Sequence, residues 1–112
     1  MNIFSNFNIY QYNYNKTASP GFESAKARKL ITKIAQSKQL SKEKITFEEL
    51  ESMYNELGYN VLRKRGSHAV ITTPNGYNIP LVMPHGHKHV SPLDLKRFIL
   101  VQQNKFEEAA KA

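Results

Sequence analysis

The chain has 112 residues, 40% of them hydrophobic, with sixteen Lys and Arg against nine Asp and Glu for a formal charge of +7. That length fits one domain around one modest core, and so large a cationic surplus favours a polyanionic partner. The absence of cysteine excludes disulfides, thiolate metal sites and a thiol nucleophile. No apolar run reaches the length of a membrane span, and the first thirty residues have neither the charged start nor the apolar stretch of a secretory signal. The expected setting is the cytoplasm, away from membranes.

Residues 1–21 read as a flexible arm. Asn stands at positions 2, 6, 8, 13 and 15, with Phe4, Phe7, Tyr10, Tyr12 and Tyr14 among them and Lys16 as the one charge. Such a stretch has little apolar area to offset its ordering entropy, although the alternation of the three tyrosines also fits a short edge strand. Ser19-Pro20-Gly21 closes the arm as a turn. Residues 22–105 read as the folded domain, and 106–112 as a polar tail.

A helix is expected over residues 23–38, with Leu30, Ile31, Ile34 and Ala35 on one face and lysines and Arg28 over most of the rest. A second helix begins at Thr46, which with Glu49 forms a capping box. Phe47, Leu50, Tyr54 and Leu57 carry its stripe, and Gly58 is its left-handed stop. Three strand-like runs follow at 59–64, 68–73 and 77–83, joined by Arg65-Gly66-Ser67 and Pro74-Asn75-Gly76. Pro80 cannot donate to a ladder, so the third run belongs at an edge or bulge. After a histidine-rich loop at 84–90, Ser91 and Pro92 open a last helix with Leu95, Phe98 and Ile99 on its apolar stripe and Lys96 and Arg97 on its basic one. The expected class is α+β: a helix, then helix-β-β-β-helix, with two helices on one face of a three-stranded antiparallel sheet. Double-stranded-RNA-binding folds have this layout.

Charge is unevenly placed. Residues 22–44 carry seven basic and two acidic side chains, 45–60 four acidic and no basic ones, and 61–105 seven basic ones with Asp94 as the lone acid. Basic runs on amphipathic helices commonly serve as solvated faces. Arg63-Lys64-Arg65 is different, because three consecutive cations at a turn with no carboxylate nearby in sequence suit a phosphate backbone. Gly66-Ser67-His68 follows directly. Glycine permits close approach to a ligand, the serine hydroxyl can donate to phosphate or hold the turn, and imidazole titrates near neutrality. RNA cleavage needs little more: a base for the 2′-hydroxyl proton, an acid for the leaving 5′-oxygen, and cations for the phosphorane charge. Taken alone, a strand histidine is more often structural than catalytic. The His85-Gly86-His87-Lys88-His89 loop has three readings: a zinc site short of ligands, a second acid/base or phosphate contact, or a plain polar loop.

The run Phe47-Glu48-Glu49-Leu50, the string Gly-Tyr-x₃-Arg-x₂-Gly-Ser-His over residues 58–68, the Pro-Asn-Gly turn, Ser91-Pro92 and the closing helix together resemble the HicA family of toxins over residues 29–104. The resemblance implies a ribosome-independent mRNA interferase on a double-stranded-RNA-binding-like fold. His68 matches the family's catalytic histidine, with Gly66 and Ser67 in support. Arg63, Lys64, Arg65 and Lys88 are then the RNA contacts, and His85 or His87 the second acid/base. No metal or other cofactor is called for. The implied partners are mRNA and a HicB-like antitoxin that masks the site and neutralises its charge. The alternative is a non-catalytic RNA-binding module on the same scaffold. A sequence-specific DNA-binding role has less to support it, since no helix-turn-helix spacing is present.

Overall fold

A computed structural model describes residues 22–85 and 88–112, so the reading of residues 1–21 as an arm lies outside the described residues. Helix α1 spans Phe22–Ala35 and is followed by a 3₁₀ turn at Leu40–Lys42. Helix α2 is Phe47–Glu56. The strands are β1 (Leu62–Arg63), β2 (His68–Thr72) and β3 (Asn78–Val82), and helices α3 (Pro92–Gln102) and α4 (Phe106–Lys111) complete the chain. The sheet is antiparallel in the order β1-β2-β3.

The capping box at Thr46 forms as its spacing dictates. The Glu49 N–H donates to the Thr46 hydroxyl at 3.1 Å, and the Thr46 N–H donates to the Glu49 carboxylate at 2.9 Å. Gly58 takes φ +97°, turning the chain out of α2 toward β1. Ser91 caps α3, its hydroxyl accepting from the Asp94 N–H at 3.3 Å, with Pro92 in the first turn. Side chains of β2 and β3 alternate: Ala69, Ile71, Ile79 and Leu81 are buried on the helix side, while His68, Thr72, Asn78 and Val82 are exposed on the other. Phe47, Leu50, Met53 and Tyr54 of α2 and Leu95, Phe98 and Val101 of α3 close the core over the inner face, with Ile31 and Ile34 of α1 behind them.

Three boundaries depart from the sequence reading. The first helix stops at Ala35, because the polar stretch that follows adds nothing to bury before Leu40. The run at 59–64 supplies only two ladder residues. The Tyr59 N–H is spent on the Tyr54 carbonyl at 2.9 Å, and Tyr59 itself packs into the core, so pairing begins at Leu62. Residues 106–111 form a helix rather than a polar tail. Ala109 is fully buried and Phe106 packs against the core, with the Tyr59 ring 6.5 Å from the Phe106 ring in an edge-to-face arrangement. Phe106, Ala109 and Ala110, three and four places apart, put one face of this short helix on the core.

Pro80 lies on an edge strand, as expected, and the register explains why it is tolerated. The Met83 N–H donates to the Ser67 carbonyl and the Thr73 N–H to the Tyr77 carbonyl. Odd-numbered residues therefore exchange ladder bonds with β2, and the backbone nitrogens of Pro80 and Val82 face away from it. The outward Val82 N–H is taken up by Asp94, whose side chain is 1% exposed and whose carboxylate accepts at 3.1 Å. Arg97 donates to the other oxygen of the same carboxylate at 3.0 Å and to the Ala112 carbonyl at 2.7 Å. The basic stripe expected on α3 is thus reduced: Arg97 is an interior clamp, and Lys96 alone is exposed. Burial raises the Asp94 carboxyl above its usual range, opposed by the Val82 N–H and Arg97.

Two outcomes follow from these contacts. Asp94→Ala strands a nearly buried guanidinium and an edge-strand N–H, and should lower unfolding free energy by about 3 kcal/mol in urea titrations. Glu49 loses hydration by partial burial, but the Thr46 N–H and Lys26 outweigh that loss and hold its carboxyl below the ordinary 4.5. A carboxyl lowered in the fold stabilises above its unfolded pKa, and that contribution fades as pH falls through the folded one. Glu49→Gln keeps the cap but not the charge, so its Tm deficit at pH 7 should shrink as pH falls below the ordinary 4.5 and the Glu49 carboxyl takes up its proton.

Candidate functional site

Chain direction brings several basic segments to one end of the sheet. β1 ends there at Arg63, β2 starts there at His68, and β3 returns there at Val82. The turn between β1 and β2 is closed by the Lys64 N–H donating to the His68 carbonyl at 2.7 Å. At Gly66 the backbone takes φ +69°, a conformation open to glycine without strain, and a Cβ there would meet nothing within 4 Å. Conformation, not crowding, is therefore what this position asks of its residue. Ser67 holds the turn through its backbone, its carbonyl accepting from Met83 at 2.7 Å.

The strand register decides which predicted residues share a face. Leu62 pairs with Val70, Arg63 with Ala69, and His68 with Val82. Partners across an antiparallel ladder point the same way. His68 and Val82 are thus neighbours on the outward face, and the Lys64–His68 backbone bond continues the row to Lys64. Leu62, Val70 and Pro80 form the next row. His68 is exposed on this face, not buried among the helices.

Arg63 is one residue out of phase and lies on the helix side with Ala69. Its guanidinium donates to the Glu51 carboxylate at 2.9 Å and sits 5.0 Å from the centre of the Phe47 ring. The cluster that is contiguous in sequence is therefore divided by strand alternation. Lys64 and Arg65 are exposed, and among the described residues neither has a carboxylate within ion-pair distance. On α1, by contrast, Lys26, Arg28 and Lys33 pair with Glu49, Glu56 and Glu43.

The loop at 84–90 leaves β3 at the same end of the sheet. His85, Lys88 and His89 are exposed, and the loop is anchored where the Val90 N–H donates to the Ile45 carbonyl at 2.8 Å. His87 lies outside the described residues, so the second acid/base assignment can be placed for His85 alone. Among the described residues no three His, Asp or Glu gather into a metal-ligand set. The structure thus brings Lys64, Arg65, Gly66, Ser67 and His68 together, with the start of the 84–90 loop at the same end, while Arg63, its side chain half-exposed, pairs with Glu51 on the other side of the strand.

Asp94 is the residue whose importance the sequence understates. It reads there as a lone acid in a basic region, yet its burial and its hold on Val82 set the strand position opposite His68. Its one sequence signal is its place three residues after the Ser91 cap, facing the Arg97 of the next turn.

No protein-family model, curated protein or solved structure matches the chain. The site's own geometry carries the functional argument. Gly66→Ala should cost about 1 kcal/mol through its left-handed φ alone. Lowered thermal stability with an otherwise native spectrum is the expected readout, since no neighbour is displaced.

Proposed function

We propose that this protein is a HicA-type toxin: a metal-independent endoribonuclease that cleaves mRNA with His68 as general base. The observation that carries the reading is an exposed imidazole beside Lys64 and the Arg65 turn, on a sheet face free of acidic side chains among the described residues. In the proposed reaction His68 takes the proton of a ribose 2′-hydroxyl, and the resulting oxygen attacks the adjacent phosphorus. The bond to the 5′-oxygen breaks as that oxygen gains a proton, for which His85 is the candidate donor at the same end of the sheet. The products are a 2′,3′-cyclic phosphate and a 5′-hydroxyl. Lys64, Arg65 and Lys88 hold the phosphates and offset the charge that grows on the phosphorane. The nucleophile is the substrate's own hydroxyl, so this route asks for no metal.

The element order supports the finer description of the fold as double-stranded-RNA-binding-like, with α2 and α3 as its two helices and α1 and α4 as additions. A HicB-like antitoxin, acidic where it meets Lys64 and Arg65, is the proposed inhibitor, and the cytoplasm the proposed location. Arg63, half-exposed and paired with Glu51, is a further RNA contact in this reading, reached from the helix side of the strand.

His68→Ala should reduce cleavage of an unstructured RNA at least 100-fold, because general-base catalysis of this kind contributes about 10²–10⁴. Far-UV spectrum and melting temperature should be unchanged, since the side chain is exposed. Cleavage should persist in EDTA and leave cyclic phosphate ends. Equal cleavage by wild type and variant would remove His68 from the reaction, and tight RNA binding without turnover by the wild type would leave a binding module.

A further inference from the structure

The outward sheet face holds apolar side chains that the fold does not use. Leu62 is 59% exposed and Val82 45% exposed, although strands of this size could carry polar residues there at no loss to the core. Beside them runs an open groove of about 370 Å³, lined by Gly58, Tyr59, Asn60, Leu62, Val70 and Thr72, with Thr73 and Pro74 at its end. Its near wall, Leu62 and Val70, is the row immediately next to Lys64 and His68, about 7 Å along the strands at two residues' rise. Its far wall is polar, with the exposed Asn60 and the Thr72 hydroxyl, which lies 2.9 Å from the Asn78 amide oxygen.

No charged side chain lines this groove, whereas Lys64 stands level with His68 and Arg65 lies beyond it in the turn. The face therefore carries a cationic part with a proton-transfer group at one end and, next along the strands, a neutral slot with one apolar and one polar wall. A nucleotide is divided in the same way, into an anionic phosphate, a reactive ribose and a flat neutral base with a hydrogen-bonding edge. We infer that the groove receives one unstacked nucleobase of a single-stranded RNA, that of a nucleotide flanking the linkage which His68 faces. Leu62 and Val70 cover the ring, and Asn60 and Thr72 meet its edge. The inference rests on the nuclease reading and adds to it a determinant of where the chain is cut. Duplex RNA is disfavoured, because its bases stay stacked and paired.

The test uses the full-length protein and a short RNA containing one cleaved linkage, with an abasic ribose placed in turn at each flanking position. One position should show about a tenfold loss of kcat/KM, the scale expected when about 50 Å² of apolar contact with the base is lost. Leu62→Ala should produce a similar loss on the intact RNA and little further loss on that abasic RNA, the non-additivity of a shared contact. Leu62 is exposed, so the variant keeps its fold. Asn60→Ala should change the ratio of kcat/KM among RNAs that differ only in the base at that position. Cleavage by the wild type with less than a twofold effect of every abasic substitution overturns the base site and leaves the nuclease reading standing. No cleavage by the wild type overturns both. Unchanged RNA kinetics in Leu62→Ala, with weakened binding of an acidic protein partner, assigns the groove to protein docking and also overturns the proposal.

Discussion

A single buried carboxylate fixes how the sheet meets its helices. Asp94 accepts from the outward N–H of Val82 and from Arg97, which in turn reaches the carbonyl of Ala112. Strand β3, helix α3 and the chain end are thereby joined through one side chain that is almost wholly removed from water. Removing a carboxylate from solvent is unfavourable, and its raised pKa records that burden. What the arrangement supplies is position. The end of β3 cannot fray without exposing both the N–H and the guanidinium, so Val82 stays opposite His68 and the 84–90 loop departs from a defined point.

With that end of the sheet held, a period of two decides what faces what. Arg63, Lys64 and Arg65 are adjacent in the chain, but alternate residues of a strand face opposite ways. Arg63 turns toward α2 and meets Glu51 and Phe47. Lys64 falls in the row of His68. The acidic first turns of α2, favoured there by the helix dipole, thus serve two ends. They stabilise the helix, and through Glu51 they hold the strand that presents Lys64.

The division of charge follows a similar logic. Cations on α1 are matched by carboxylates of α2 and of the segment before it, as with Lys26 and Glu49 or Arg28 and Glu56. Such half-exposed pairs add little stability individually, but they offset part of the positive charge on that side of the molecule. The surplus that gives the chain its +7 charge is left in part at the hairpin turn and the neighbouring loop, where Lys64, Arg65 and Lys88 are exposed. These exposed cations raise the local potential for a polyanion beside the proposed catalytic histidine.

Local signals were enough for the elements whose cause is local. The Thr46–Glu49 box, the Ser91-Pro92 start, the turns at Gly66 and Gly76 and the alternation in β2 and β3 all depend on residues within a few positions of one another, so they are legible in one dimension. The placement of His68 at the start of a strand beside a cationic turn was legible for the same reason. Elements stabilised mainly from a distance were not. Helix α4 exists because Ala109 and Phe106 find a core built by other segments, and the short β1 reflects Tyr59 being drawn into that core. The partner of Arg63 is a glutamate twelve residues earlier, and the partner of Asp94 is a backbone N–H twelve residues earlier. Neither can be inferred from neighbours in the chain. The sequence by itself determined the α+β class, the order of elements and the chemical groups available. Only the tertiary structure decided which cation remains free beside His68 and which apolar side chains line a groove next to it, because those outcomes depend on strand register and on contacts between segments that meet only once the chain has folded.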